Sequence, residues 1–215
     1  MHLRFLITAG PTREHLDPVR FLSNRSTGKM GFAVARAAAE AGHDVTLIAG
    51  PVSLPTPDGV KRIDIVSARD LLAAVERELP SADVLVMSAA VADWRPKEVA
   101  DGKLKKATMD PVLELVANPD ILRTIAPLKG NRTIIGFAAE TGDPVPEARR
   151  KLAAKGLDLV VANDVSRPDS GFAVDTNRVT LVSPDSAEPL PLLSKLEVAK
   201  RIVAWAEKTR ENSHF

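Results

Sequence analysis

Ser23-Asn24-Arg25-Ser26-Thr27-Gly28-Lys29-Met30-Gly31 runs into a helical pattern. Free backbone amides at a helix start, at the positive end of its dipole, favour an anion, and small residues let the backbone approach phosphate oxygens. The bland reading of the same loop is a helix start with Gly28 making the turn. Lys103-Leu104-Lys105-Lys106 concentrates ammonium groups, either as a solvated face or as point cations on a loop able to close over a polyphosphate. Lys151 and Lys155 stand at i, i+4, a like-charge spacing that costs a few tenths of a kcal/mol (about 0.2–0.5) unless an anion lies between them. Met87-Ser88-Ala89-Ala90-Val91-Ala92-Asp93-Trp94-Arg95 offers small side chains and one acid: a seat for a planar ligand with Asp93 accepting from a hydroxyl or amine, or room for a neighbouring helix. Asn118-Pro119-Asp120-Ile121-Leu122 reads as a helix start, with Asn118 or Asp120 as cap and Pro119 in the first turn. In Gly136-Phe137-Ala138-Ala139-Glu140-Thr141, Phe137 serves a base stack or the core equally well.

The inventory limits the chemistry. With no cysteine, disulfides, thiolate nucleophiles and cysteine-held metals are excluded, and with no tyrosine there is no phenolic acid or base. The four histidines (His2, His15, His43, His214) make no metal-spaced pair. Lys plus Arg number 29 and Asp plus Glu 28, a net +1 that gives no electrostatic reason for a nucleic acid or membrane partner. No apolar run nears the about 18 residues that span a bilayer, and Met1 leads directly into an apolar strand pattern with no secretory signature, so a cytoplasmic protein is expected.

The elements that must position these groups alternate. Strands are expected at Arg4–Thr8, Asp44–Ala49, Arg62–Val66, Asp83–Ser88, Thr133–Phe137 and Leu157–Ala162, and helices at Gly28–Ala41, Ala68–Leu79, Pro119–Lys129 and Pro146–Lys155. Leu71, Leu72, Val75 and Leu79 give the second helix one apolar stripe behind a Ser67 cap. The pattern predicts an α/β fold: a Rossmann-like, mostly parallel sheet with helices on both faces and right-handed crossovers, in one domain over residues 1–215. Gly10–Thr27 is long where an ordinary βα loop has about 2–6 residues, which suggests binding, and Asp93–Asp110 reads as a mobile flap before the apolar Val112–Val116. Beyond a turn-rich Asn163–Gly171, a strand at Val179–Val182 and a helix at Leu196–Glu207 close the chain.

Ile7 to Glu14, Asp17-Pro18-Val19-Arg20, Ser23 to Gly31, Ala89 to Arg95, Lys103 to Lys106, Asn118-Pro119-Asp120, Gly136 to Thr141 and Ala162-Asn163-Asp164-Val165 together resemble the bacterial phosphopantothenoylcysteine synthetase (phosphopantothenate–cysteine ligase) family of coenzyme A biosynthesis. The likeness runs in one order over essentially the whole chain. It implies a homodimer that joins 4'-phosphopantothenate to L-cysteine, with CTP as co-substrate and Mg²⁺ assistance, through an acyl-cytidylate. By the same resemblance Asn24 orients that intermediate for the second step and Lys103 helps to form it. Nucleotide contacts fall on Met87, Ser88, Ala89, Asp93, Lys103, Pro119, Asp120, Ile121, Leu122, Phe137, Lys151 and Lys155. Arg20, Asn24, Ala89 and Ala90 fall on the substrate side, Arg20 as a phosphate ligand reaching across a dimer interface. No metal ligand is assigned. Thr27 replaces a commoner serine and keeps the hydroxyl. In many bacteria this ligase is fused behind a flavin-dependent decarboxylase; the chain is either a stand-alone ligase or an excised domain, and no flavin is expected in it.

Three other readings fit the residues less well. A nicotinamide-dependent dehydrogenase needs a Gly-x-Gly-x-x-Gly after the first strand, where Gly10 is followed by Pro11-Thr12-Arg13. A phosphate-binding P-loop needs Gly at Ser23 and Ser or Thr at Met30. A catalytically silent nucleotide-binding module would need neither the flap lysines nor Asn24.

Overall fold

A computed structural model describes residues 1–106, 112–166, 171 and 174–212. Its main sheet is built from β1 (Arg4–Ala9), β4 (Asp44–Ala49), β5 (Val60–Asp64), β6 (Val84–Met87), β9 (Thr133–Glu140) and β10 (Leu159–Asp164), all parallel, in the spatial order β5-β4-β1-β6-β9-β10. In chain order these are the third, second, first, fourth, fifth and sixth parallel strands, the doubly wound arrangement whose direction of winding reverses between β1 and β6. Two antiparallel strands, β12 (Val179–Val182) and β13 (Ala187–Pro189), extend the β10 edge.

Burial on both faces explains the near-continuous Val/Ile/Leu runs. Phe5, Ile7, Val84 and Val86 point to one face and pack with α1 (Lys29–Glu40) and α5 (Lys195–Asn212). Leu6 and Leu85 point to the other, beneath α2 (Ala68–Glu78), α3 (Ile121–Ile125) and α4 (Val145–Lys155). Of the expected α2 stripe, Leu71, Val75 and Leu79 are buried, and Ser67 caps the helix in a reciprocal box with Asp70.

Some boundaries differ from the pattern. The strand expected at Arg62–Val66 is Val60–Asp64, and the one expected at Leu157–Ala162 is Leu159–Asp164. The helix expected over Pro119–Lys129 is only α3 followed by a 3₁₀ turn at Ala126–Leu128, because Pro127 has no N–H for the next helical bond. Pro119 lies ahead of that helix rather than in its first turn, and Asp120 is the cap, accepting from the Arg123 amide at 3.1 Å.

The long Gly10–Thr27 connection contains a hairpin, β2 (Arg13–His15) with β3 (Phe21–Ser23). The expected flap is rooted in a second hairpin, β7 (Trp94–Pro96) with β8 (Leu115–Ala117), which packs against β2. The flap's residues 107–110 and the 167–170 portion of the turn-rich segment lie outside the described residues. A small pair, β11 (Thr176–Asn177) with β14 (Leu193–Ser194), leads into α5. No helix among the described residues is long and apolar enough to cross a membrane.

Candidate functional site

The winding reversal between β1 and β6 leaves two strand ends that the chain stitches together. Thr8 and Thr12 are fully buried, and their hydroxyls do the stitching: the Ala89 amide donates to Thr8 Oγ1 at 3.1 Å and the Ala92 amide to Thr12 Oγ1 at 3.0 Å. Ser88 Oγ donates to the Thr8 carbonyl at 2.8 Å, and the Ala90 amide to the Gly10 carbonyl at 2.9 Å. Residues 88–92 are thereby held as a rigid ledge, as a site needs. Asn24 hangs on it, its Nδ2 donating to the carbonyls of Ala90 (3.1 Å) and Val91 (3.0 Å), which leaves Oδ1 without a donor among the described residues.

Beneath the ledge a cavity of about 530 Å³ opens at the ends of β6 and β9. Every residue for which a nucleotide contact was expected lines it except Lys103, and Ala90 lines it too. Small side chains line it at Ser88–Ala90 and Ala138–Ala139, as does Phe137, half-buried and packed on the core. Asn118 frames it: Nδ2 donates to the Ala92 carbonyl at 2.8 Å, and Arg95 donates to Oδ1 at 3.2 Å.

Across from the ledge, Lys151 Nζ donates to the Phe137 carbonyl at 2.5 Å and Lys155 pairs with Asp120. Burial, then the neighbouring Lys155 charge, pushes the Lys151 ammonium below its usual pKa. Burial works to raise Asp120, but Lys155 and the Arg123 amide outweigh it and hold this carboxyl below the usual range. The i, i+4 lysines therefore stand on one polar wall, with Asp120 paired to Lys155 and the charges of Glu140 and Asp120 acting on Lys151. The carboxylates of Asp93 and Glu140 also line the cavity and have no hydrogen-bond partner among the described residues.

A second, smaller cavity of about 70 Å³ shares Ser88 and Phe137–Ala139 with the first and lies under the start of α1. Gly28, at φ 78°, is the cap residue of that helix, and its amide donates to Ser26 Oγ at 3.3 Å; the first turn holds no acidic residue, and Ser26, Asn163, Asn177 and Lys195 line the cavity beside it. Gly31 brings the turn this close to the sheet, since a Cβ there would stand 2.5 Å from both Ala9 Cβ and Ser88 Oγ.

Arg20 and Lys103 sit elsewhere. The Arg20 guanidinium donates through Nε (3.0 Å) and Nη2 (2.5 Å) to Asp17 and through Nη2 to the Leu104 carbonyl (2.8 Å). The Asp17 carboxylate, wholly inaccessible, also accepts from the amides of Val19, Arg20 and Leu104, and Arg20 first of all holds it well below the usual carboxylate range. This pair clasps the flap's base one residue after Lys103, whose own side chain is exposed. A larger groove, about 790 Å³ between α1 and residues 54–58, contains none of the expected site residues and no parallel-strand end.

Sequence reasoning missed Thr8 and Thr12 as braces, Asn118 as a frame rather than a cap, and Glu140 and Lys195 as lining groups. Thr8, Thr12, Asn118 and Glu140 all lie within quoted motifs, which was a usable signal. Lys195 opens an amphipathic helix, where a lysine ordinarily faces water. No group of three His, Asp or Glu side chains among the described residues is placed to hold a metal ion.

The model of the DNA/pantothenate metabolism flavoprotein C-terminal domain family matches residues 1–209. The coenzyme A biosynthesis bifunctional protein CoaBC of Vibrio cholerae is 50% identical over 203 residues, 93% of this chain and 51% of that protein, so the chain spans about half the length of the curated relatives it matches. The crystal structure of the C-terminal domain of a CoaBC protein superposes with a TM-score of 0.84 at 41% identity, covering 98% of this chain and 96% of that one. A Cab2 mutant in complex with phosphopantothenate-cysteine shares the fold, at a TM-score of 0.82 and 17% identity over 99% of this chain and 89% of that one.

Proposed function

We propose, from the premise that this chain belongs to the DNA/pantothenate metabolism flavoprotein C-terminal domain family, that residues 1–215 form a ligase domain joining 4'-phosphopantothenate to L-cysteine at the expense of CTP. The observation that carries this reading is the single cavity into which residues 87–93, 118–122, 137–140, Lys151 and Lys155 converge from four separate stretches of chain. A nucleoside fits its volume. The smaller cavity below α1 offers amides and an ammonium to the phosphate chain.

The chemistry needs placement and charge neutralisation rather than a protein nucleophile. The substrate carboxylate attacks the α-phosphorus of CTP; a P–O bond forms, pyrophosphate leaves, and an acyl-cytidylate results. The cysteine amine then attacks the acyl carbon, an amide forms, and CMP leaves with the electron pair of the broken C–O bond. In the first step Lys151, Lys155 and the flap's Lys103 offset the charge that builds on the departing pyrophosphate. In the second, Asn24, anchored to the ledge through Nδ2, directs Oδ1 at the intermediate and fixes its acyl group for the amine. Arg20 serves the substrate phosphate from the far side of a dimer interface.

A magnesium ion carried mainly by phosphate oxygens and waters needs only one or two protein carboxylates, and Asp93 and Glu140 supply that donor set. When bound it would neutralise phosphate charge. The second copy of the chain docks on the two hairpins, where Phe21, Trp94 and Leu115 are exposed, as is the nearby Val99. The same reading puts the enzyme in the cytoplasm. Mixing purified protein with CTP, 4'-phosphopantothenate and cysteine should release pyrophosphate; no release with any nucleoside triphosphate refutes the proposal.

A further inference from the structure

Burying an ammonium without a carboxylate is costly, so such a group calls for an explanation. Lys195 is 6% exposed. Its Nζ donates to the carbonyls of Gly171 (2.8 Å) and Val174, and its third N–H has no acceptor among the described residues. The nearby carboxylate, Asp175, is turned outward to Lys29 at 2.7 Å. Burial first, and the Lys29 charge second, bring the Lys195 ammonium down to about 8.

Lys195, the Asp175-paired Lys29 and the first turn of α1, which holds no acidic residue, thus border the about 70 Å³ cavity, and no anion is among its lining side chains. At roughly 30 Å³ per water in the liquid, a cavity of that size admits one tetrahedral oxyanion and excludes a nucleoside. Its mouth is shared with the larger cavity through Ser88 and Phe137–Ala139, so a phosphate chain leaving the nucleoside there enters directly.

We propose that Lys195 is a polyphosphate ligand, its buried ammonium meeting the phosphate chain of the nucleoside triphosphate beneath the first turn of α1. The inference rests on the nucleotide reading above and adds to it a residue from the far end of the chain. The competing role is purely structural, with Lys195 only pinning Gly171 and Val174 through their carbonyls.

The test is direct binding of inorganic tripolyphosphate to the full chain labelled with ¹³Cε-lysine, the Lys195 signal being assigned by its loss in Lys195→Arg. The Lys195 signal should move with the same saturation curve that calorimetry gives. Lys195→Met should weaken tripolyphosphate binding by about tenfold or more, the scale of a lost charge-assisted hydrogen bond, while Lys195→Arg retains most of it. If Lys195→Met fails to fold by circular dichroism, the signal in the wild-type chain decides alone. A Lys195 signal that stays still while tripolyphosphate binds, unchanged binding in a folded Lys195→Met, or no binding to the wild type overturns the inference. CTP-dependent pyrophosphate release, measured on the same preparation, separates the outcomes: release with an unresponsive Lys195 sinks only this proposal, and no release sinks the ligase reading.

Discussion

Gly31→Ala is the sharpest perturbation, because two effects of known size oppose each other there. Alanine is the better helix former by about 1 kcal/mol, and Gly31 lies within α1. Its Cβ, however, would stand 2.5 Å from Ala9 Cβ and Ser88 Oγ and 2.9 Å from the Thr8 carbonyl oxygen. Carbon atoms rest at about 3.5–4.0 Å, so the first turn must retreat by about 1 Å. Two of the obstructing groups belong to the stitched strand ends and cannot swing aside. Overpacking of this kind costs about 1–3 kcal/mol, which outweighs the propensity gain and leaves a net loss of up to about 2 kcal/mol. For a chain of this length each kcal/mol moves Tm by about 2–4 °C, so a fall of up to about 8 °C is expected. Activity should suffer more than stability, since a misplacement of about 1 Å at a reacting centre costs on the order of 100-fold. Differential scanning fluorimetry and steady-state pyrophosphate release, measured well below Tm, read the two effects separately. Gly102→Ala, whose Cβ meets nothing within 4 Å, controls for stability. A Gly31→Ala protein that melts higher and turns over at the wild-type rate would refute the account of this helix–ledge contact.

Other outcomes follow from the same geometry. Asn24→Ala should let the acyl-cytidylate accumulate and Lys103→Gln should prevent its formation; equal abundance of the intermediate in both variants by mass spectrometry contradicts these roles. Asp17→Asn should free the flap's base, read as faster hydrogen exchange at the Ala100 and Leu104 amides, which bond to Leu16 O and Asp17 Oδ2. Because Asp17 is held below its usual range, its stabilisation is complete above the unfolded carboxyl pKa of about 3.9 and is lost as pH falls towards the lower folded value. The difference in stability between wild type and Asp17→Asn should therefore be flat from neutral pH to about pH 5 and shrink below about pH 4. Trp94→Asp should turn the dimer into monomer by light scattering; a variant that remains dimeric moves the interface away from the hairpins.

Local chemistry was enough to determine the layered sheet, the Ser67 cap and the apolar stripe of α2, because buried strands need uninterrupted apolar runs and helices a 3.6-residue repeat, both written in neighbouring residues. The small residues of Met87–Asp93 and Gly136–Glu140 stand at strand ends and were legible as such, whereas Asn118–Leu122 read from its residues only as a helix start and was placed at the site by the resemblance alone. The three-residue strands of the two hairpins were not legible, being too short to show a period. Nor was the fate of the charged groups. Nothing local shows that Arg20 bonds to the Leu104 carbonyl, 84 positions away, and Lys195 reads as surface until Gly171 and Val174 close over it. The charge, burial and reach of such side chains depend on which distant segments the sheet order brings together, and no local pattern carries that information.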